Sequence, residues 1–386
     1  MAPPLHTRGS TDGITSPRLF KVLRLEEALG SHVPLDRVMV DLRSRSDVDR
    51  DALQGIGVPV ILEEGNSDVS PLPRLHSLSN PAVVGAGDAI RVHPSGQVNV
   101  LYRRGANANT LFATEACNSR CLMCSQPPRD EDASWRVAEM LELLPLIDPT
   151  VPALGITGGE PTLLGEGLRL VLEAASALLP DTTFHVLTNG RTFASAPLVD
   201  SFDSVTGRAL WAIPLYADNA RDHDHIVQAG GAFAETIDGL YNLAERSHRI
   251  EVRFVLHRLT VGRLERFAEF IYRNMPFVEH VAFMGLEPMG YARMNRDLLW
   301  IDPLDYAPAL GEAVRRLSQR RMRASIYNVQ LCLLDGRSRP FARQSISDWK
   351  SASAPECANC AAIDSCCGFF RSAGPQWRSR GIQPLP

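Results

Sequence analysis

The run Thr114-Glu-Ala-Cys117-Asn-Ser-Arg-Cys121-Leu-Met-Cys124-Ser-Gln-Pro-Pro128 sets three cysteines at Cys-x3-Cys-x2-Cys spacing, and the next cysteine is Cys332. A structural tetrahedral zinc site takes four protein ligands, and this loop offers three. Three thiolates suit a [4Fe-4S] cluster, because one iron is then left without a protein ligand. An open iron points to chemistry at that iron rather than to storage of an electron.

Working outward from this loop, short apolar strands alternate with amphipathic helices from about residue 106. Candidate strands are Thr110–Thr114, Ala153–Thr157, Thr183–Leu187, Leu210–Leu215, Ile250–Leu256 and His280–Met284. Between them, Phe233, Ile237, Leu240 and Tyr241 share one helical face, as do Val261, Leu264, Ala268 and Ile271. Thr260 is placed to cap the second of these helices, and Asp302 before Pro303 reads as an N-cap and first turn. Such βα repeats imply parallel strands with right-handed crossovers. Six strands fall short of an eight-stranded barrel, so the expected fold is α/β, a partial (β/α)6 TIM-like barrel.

In βα architectures the active groups gather at the strand C-terminal ends. The cysteine loop follows the first strand, Gly158-Gly159-Glu160-Pro161 the second, Thr188-Asn189-Gly190 the third and Gly285-Leu286-Glu287 the sixth. Tyr216 and His257 also lie near strand ends, each as well explained by a structural hydrogen bond as by substrate contact. The run Asp222-His223-Asp224-His225 invites a metal reading, but a solvated loop or helix start explains it better.

A second cysteine group comprises Cys332, Cys357, Cys360 and the adjacent Cys366-Cys367. Four thiolates at these spacings suit an iron–sulfur cluster or zinc. Cys366 completes a Cys-x2-Cys-x5-Cys spacing, while Cys367 is a spare thiol or the true fourth ligand.

Residues 1–105 form an N-terminal, β-containing extension without a chemical motif; Asp88–Tyr102 reads as a hairpin turning at Pro94-Ser-Gly. The partial barrel is expected over 106–310 and a cysteine-rich auxiliary region over 311–386. At 386 residues and 45% hydrophobic, the chain has material for a large core. The formal charge of −4 gives no footprint for nucleic acid or an anionic membrane. The N-terminus lacks the apolar stretch of a secretory signal, and no run approaches the roughly 20 apolar residues of a membrane span. Eight cysteines in two groups read as metal binding in a reducing cytoplasm rather than as a disulfide framework.

The cysteine loop and the Gly-Gly-Glu motif together resemble the radical S-adenosylmethionine (SAM) superfamily. That resemblance implies that Cys117, Cys121 and Cys124 hold a catalytic [4Fe-4S] cluster whose fourth iron is chelated by SAM. It implies SAM contacts from Gly158, Gly159 and Glu160, with Glu160 on the amino group, from Asn189 and Glu287 on the ribose or carboxylate, and from Met123 near the adenine. The later cysteines resemble the auxiliary-cluster domains of peptide-modifying relatives, implying a second [4Fe-4S] cluster on Cys332, Cys357, Cys360 and Cys366. Cys117–Pro128, Leu154–Leu164 and Gln344–Lys350 further resemble the His-Xaa-Ser system radical SAM maturase family, the HxsC type. The resemblance implies glycine after the last cluster cysteine, where this chain has Cys367. It implies a small protein or peptide substrate with His-Xaa-Ser repeats, a second radical SAM partner, and an electron donor such as flavodoxin or ferredoxin. The alternatives are radical SAM chemistry on a small molecule, or a zinc-binding scaffold.

Overall fold

The computed structural model describes residues 4–31, 33–45, 47–65, 70–347 and 350–386. The chain divides into two compact units, the first comprising 1–111, 137–154 and 174–182, the second 112–136, 155–173 and 183–386.

The first unit is built on a mixed sheet. Its strands are β1 (His6–Arg8), β2 (Ser10–Asp12), β3 (Arg18–Leu23), β4 (Val38–Asp41), β5 (Val60–Leu62), β6 (Arg74–His76), β7 (Ala89–Val92) and β8 (Gln97–Tyr102), in the order β1-β8-β7-β3-β4-β5-β6-β2. The terminal strands β1 and β2 are separated only by Gly9, so the sheet closes on itself and presents no long free edge. Two glycines permit that closure. A Cβ on Gly9 would lie 2.7 Å from the His76 carbonyl, and one on Gly96 (φ +81°) would lie 1.9 Å from the Gly9 carbonyl. Gly96 belongs to the expected Pro94-Ser-Gly turn, which joins β7 and β8 as an antiparallel hairpin. Phe20, Val22, Met39, Leu62, Ile90 and Val98 fill the interior.

Lys21, on β3, has only 1% of its side chain exposed and pairs with Asp148 at 2.8 Å. Asp148 also accepts from Tyr102 Oη and Arg104 Nε, each at 3.1 Å.

The second sheet has the order β16-β15-β14-β13-β12-β11-β10-β9. Its strands are β9 (Thr110–Phe112), β10 (Ala153–Thr157), β11 (Thr183–Leu187), β12 (Ala209–Pro214), β13 (Arg249–Leu256), β14 (His280–Gly285), β15 (Ala324–Tyr327) and β16 (Ala342–Arg343). Neighbours from β11 to β16 pair in parallel. The six expected strands are all present, and β15 and β16 extend the sheet of this partial barrel. A two-stranded antiparallel pair, β17 (Ser351–Ala352) with β18 (Phe369–Phe370), follows.

Alternation along β13 sorts the barrel into layers. Phe254 packs outward on Phe267 of the helix Leu264–Asn274, with ring centroids 4.3 Å apart, while Glu251, Arg253 and Val255 face the lumen. On β12, Trp211 likewise packs outward on Phe193 and Phe202. Each such fully buried aromatic contributes about 1.5–3 kcal/mol.

Two helix expectations change. In Ala232–Glu245 the buried face is Ala232, Thr236, Gly239, Leu240 and Leu243, and Tyr241 is exposed. The face is set by Gly239, where a Cβ would meet the Gly190 carbonyl at 2.3 Å. Thr260 does not cap its helix; its hydroxyl donates to the Val255 carbonyl at 2.8 Å instead. Asp302 does cap Pro303–Gln319, accepting from the Leu304 N–H at 2.9 Å. Among the described residues no helix is long and apolar enough to cross a membrane.

Asp148→Ala strands a buried lysine charge, so it is expected to lower unfolding free energy by about 3–5 kcal/mol. Lys21→Met leaves Asp148 with Arg104 and Tyr102 and is expected to cost less than about half of that. Urea denaturation of the two variants checks the order.

Candidate active site

Three strand exits of the second unit are tied together by backbone contact and one carboxylate. Gly158 (φ +154°) and Gly159 lie so close to the run leaving β9 that a Cβ would stand 2.4 Å from the Thr114 carbonyl and 2.2 Å from that of Ala116. Only glycine permits this approach. The Gly159 N–H donates to Thr114 O at 2.6 Å and the Glu160 N–H to Ala116 O at 2.8 Å, fixing the chain immediately before Cys117.

Glu160 is fully buried. Its Oε1 accepts from the Thr162 N–H at 3.0 Å and from the hydroxyls of Thr162 and Thr188, each at 2.6 Å. Its Oε2 accepts from the Asn189 N–H at 2.6 Å. Burial pushes this carboxyl's pKa up against the pull of those donors. The carboxylate thus joins the exits of β10 and β11.

The cysteine loop is clamped from several sides. The Arg120 and Leu122 N–H groups donate to Val227 O (3.0 Å) and Ile226 O (2.9 Å) at the end of the helix Ala220–Val227. Tyr291 N–H donates to Cys124 O at 2.8 Å, and Asn295 Nδ2 to Leu122 O at 2.8 Å. Arg191 donates to Asn118 O and, at 3.0 Å, to Ser119 Oγ, while its Nε is held by Glu235 at 2.6 Å. Sequence reasoning missed Arg191; its place directly after Asn189-Gly190 was the available signal.

All three thiols open into one cavity of about 290 Å³, together with Met123, Gly158, Gly159, Asn189 and Glu287. Asn189 Nδ2 stands 3.8 Å from Cys117 Sγ and donates to Asn118 Oδ1 at 2.5 Å. Glu287 accepts from Lys350 Nζ at 3.0 Å, so its carboxylate already has a cation. Burial, then the charges of Glu160 and Cys124, pushes the Cys117 thiol up to about 11; burial also raises Cys121 and Cys124. These thiols are therefore protonated when free, and a metal reverses that balance by holding the thiolate.

Tyr216 lines the same cavity, whereas His257 is buried outside its lining, with both ring nitrogens lacking a hydrogen-bond partner among the described residues. Burial pushes His257 down to about 3. The Asp222–His225 run is a helix segment: His223 stacks on Tyr216 and accepts its N–H at 3.2 Å, and Asp224 accepts from Gly231 and Phe233.

Arg253, unnoticed in the sequence, reaches the cavity from the lumen. Its Nε lies 3.1 Å from Glu251, which also meets His185 (3.2 Å) and His280 (2.7 Å). Burial would raise Glu251, but His185, His280 and Arg253 together hold it well below the usual carboxylate range.

Cys332, Cys357, Cys360 and Cys366 line a separate small cavity, while Cys367 is buried outside its lining. Among the described residues no three His, Cys, Asp or Glu side chains are drawn in tightly enough to hold one metal ion. A cluster asks for less convergence, since its thiolates bind different irons. Three thiols on one loop facing an open cavity, with no fourth protein ligand among the described residues, fit a cluster with one free iron.

Glu160→Gln sets an amide N–H₂ against a backbone N–H, whichever oxygen it replaces. It is expected to destabilise the metal-free protein by about 1–3 kcal/mol. A role confined to SAM contact would leave that stability unchanged, which thermal denaturation reads directly.

Residues 111–271 match the family model of the Radical SAM superfamily. No curated protein matches the chain. Among solved structures it is similar to Streptococcus suis SuiB bound to precursor peptide SuiA, at TM-score 0.45 and 15% identity over 56% of this chain and 48% of that one. It is also similar to anSMEcpe with bound AdoMet and Cp18Cys peptide, at TM-score 0.42 and 13% identity over 56% of this chain and 62% of that one. At these scores neither likeness bears on substrate, and the chain spans about half the length of SuiB. The family match coincides with the cysteine loop and the β10 and β11 exits, and residues 111–271 are a radical SAM domain.

Proposed function

We propose that this protein is a radical SAM enzyme that modifies a ribosomally made peptide or small protein. The observation that carries the radical SAM reading is the convergence of Cys117, Cys121, Cys124, Gly158, Gly159 and Asn189 on one cavity. When bound on the three thiolates, the cluster supplies the electron that cleaves SAM to methionine and a 5′-deoxyadenosyl radical able to abstract a substrate hydrogen. The chain's own residues bind, orient and shield. Gly158 and Gly159 leave the wall free of side chains where SAM would approach the backbone. Asn189 offers its amide beside Cys117, Met123 supplies an apolar surface, and the Glu287–Lys350 pair provides both signs of charge for polar groups of SAM. Glu160, which the resemblance sets against SAM's amino group, also positions its neighbours Thr188 and Asn189.

Residues 106–310 would form the radical SAM core and 311–386 the auxiliary region. The second cysteine cavity would hold an auxiliary [4Fe-4S] cluster on Cys332, Cys357, Cys360 and Cys366, bordering substrate. Support for Cys366 over Cys367 is its place in the cavity lining. The sequence resemblance supports a substrate with His-Xaa-Ser repeats, with a second radical SAM partner and a flavodoxin- or ferredoxin-type donor. Of its third stretch, Asp348 and Trp349 lie outside the described residues.

Anaerobically reconstituted protein is expected to hold about eight irons per chain when both [4Fe-4S] sites fill. With dithionite it should release 5′-deoxyadenosine from SAM. The triple change Cys117→Ala, Cys121→Ala and Cys124→Ala should abolish that product and about halve the iron; continued product formation would refute the site.

Cys366→Ala is expected to lose more iron than Cys367→Ala. The reverse order would make Cys367 the ligand, and zinc in place of the remaining iron would make the second cavity a zinc site.

A further inference from the structure

A wide cavity opens at the end of the second sheet opposite the cysteine loop. Its volume is about 590 Å³, against about 290 Å³ beside the three thiols. Arg249 begins β13, His280 begins β14 and Ala324 begins β15, and all three line the space, so it is the mouth at the strand N-terminal ends. Nothing in the proposed reaction uses it.

Charge is not balanced on its walls. Four arginines line it, Arg249, Arg321, Arg323 and Arg343, against two carboxylates, Glu251 and Glu279. Both carboxylates are already taken. Glu279 meets Arg249 at 3.0 Å, and Glu251 is shared by His280 (2.7 Å), Arg253 (3.1 Å) and His185 (3.2 Å). Arg343 donates to the carbonyls of Pro340 and Ala342, each at 2.7 Å, and to no carboxylate among the described residues. Arg321 and Arg323 likewise have no acidic partner among the described residues. Three guanidinium charges therefore line one concave space uncompensated, in a chain whose formal charge is −4. A cleft lined by one sign of charge focuses its field and concentrates ions of the other sign.

Arg321 stands where glycine is the ordinary choice. It follows the helix Pro303–Gln319 with φ +63°. Its N–H donates to Ser318 O at 2.9 Å, and the Met322 N–H donates to Leu317 O at 3.0 Å. Backbone groups alone close this helix ending, and a left-handed residue there is most easily glycine. The ending has no need of the arginine side chain, whose charge is left to the cavity.

We propose that this mouth binds a small polyanion, a ligand carrying at least two negative charges on phosphate or carboxylate groups. The planar guanidinium fork matches both groups bidentately, so phosphate esters and polycarboxylates share the required chemistry. The volume lies within the range of small-molecule sites. Met322, Phe341 and Tyr327 offer wall for the body of such a ligand. The inference is independent of the peptide reading, because the arginines lie at the far end of the barrel from the thiols.

Fructose bisphosphate and tricarballylate, a phosphate ester and a tricarboxylate, serve as probes in calorimetric titration of the reconstituted protein saturated with SAM, which occupies the cysteine cavity. At least one is expected to bind at one site per chain. The tighter probe identifies the source of the charge, and equal affinity means that charge alone is read. Arg321→Gly combined with Arg323→Ala should weaken binding roughly ten- to a hundredfold for each charge-assisted pair lost, while SAM cleavage without substrate stays unchanged. Arg343→Ala, away from the helix ending, should weaken it as well and keeps the test valid if the double variant fails to fold. Arg321→Gly alone should melt no lower than the wild type; a lower melting temperature with intact affinity makes Arg321 a structural cation and overturns the site. Binding of neither probe at millimolar concentration, or affinity unchanged in the arginine variants, overturns it too.

Discussion

The site depends on the close contact of the β10 exit with the run before Cys117. Gly158 and Gly159 allow two backbones to approach where any Cβ would collide, and two N–H groups then bond across the gap. The carboxylate of Glu160 completes the joint by drawing in Thr162, Thr188 and Asn189. A cysteine loop without such anchors would pay a large ordering entropy each time it bound a cluster. Here the loop's start is fixed to the sheet, and Arg191, Tyr291 and Asn295 hold the rest.

Charge is distributed to suit that design. Glu160 is buried among neutral donors, and Glu287 is neutralised by Lys350. At the lumen floor, Glu251 is shared by His185, His280 and Arg253. The thiols face a partly apolar space in which their thiolates are costly without a cation. A cluster supplies that positive charge, so metal binding and ionisation of the cysteines are one event.

Much of this was legible in the sequence because it depends on local patterns. The six strands came from short apolar runs, and β10 and β11 have the bounds read from Ala153–Thr157 and Thr183–Leu187. The rim motifs were legible because strand ends fix where loops emerge. What the sequence hid is tertiary. Tyr241 fits the apolar period of its helix but is exposed, because the approach of Gly239 to Gly190 rotates the buried face. The four hydrogen bonds that Glu160 accepts from Thr162, Thr188 and Asn189 are likewise set by packing. Arg191, Arg253 and Lys350 are ordinary cations in the sequence; their roles come from partners 44 to 73 residues away for Arg191 and 63 for Lys350.

The central claim is that three thiolates leave one iron open to SAM, and the most direct measurement is electron paramagnetic resonance of the dithionite-reduced protein. With the second cysteine group replaced by alanine, one reduced [4Fe-4S] signal should remain, and adding SAM should change its g values because the ligand set of one iron changes. A signal that SAM leaves unaltered at saturating concentration would contradict the account.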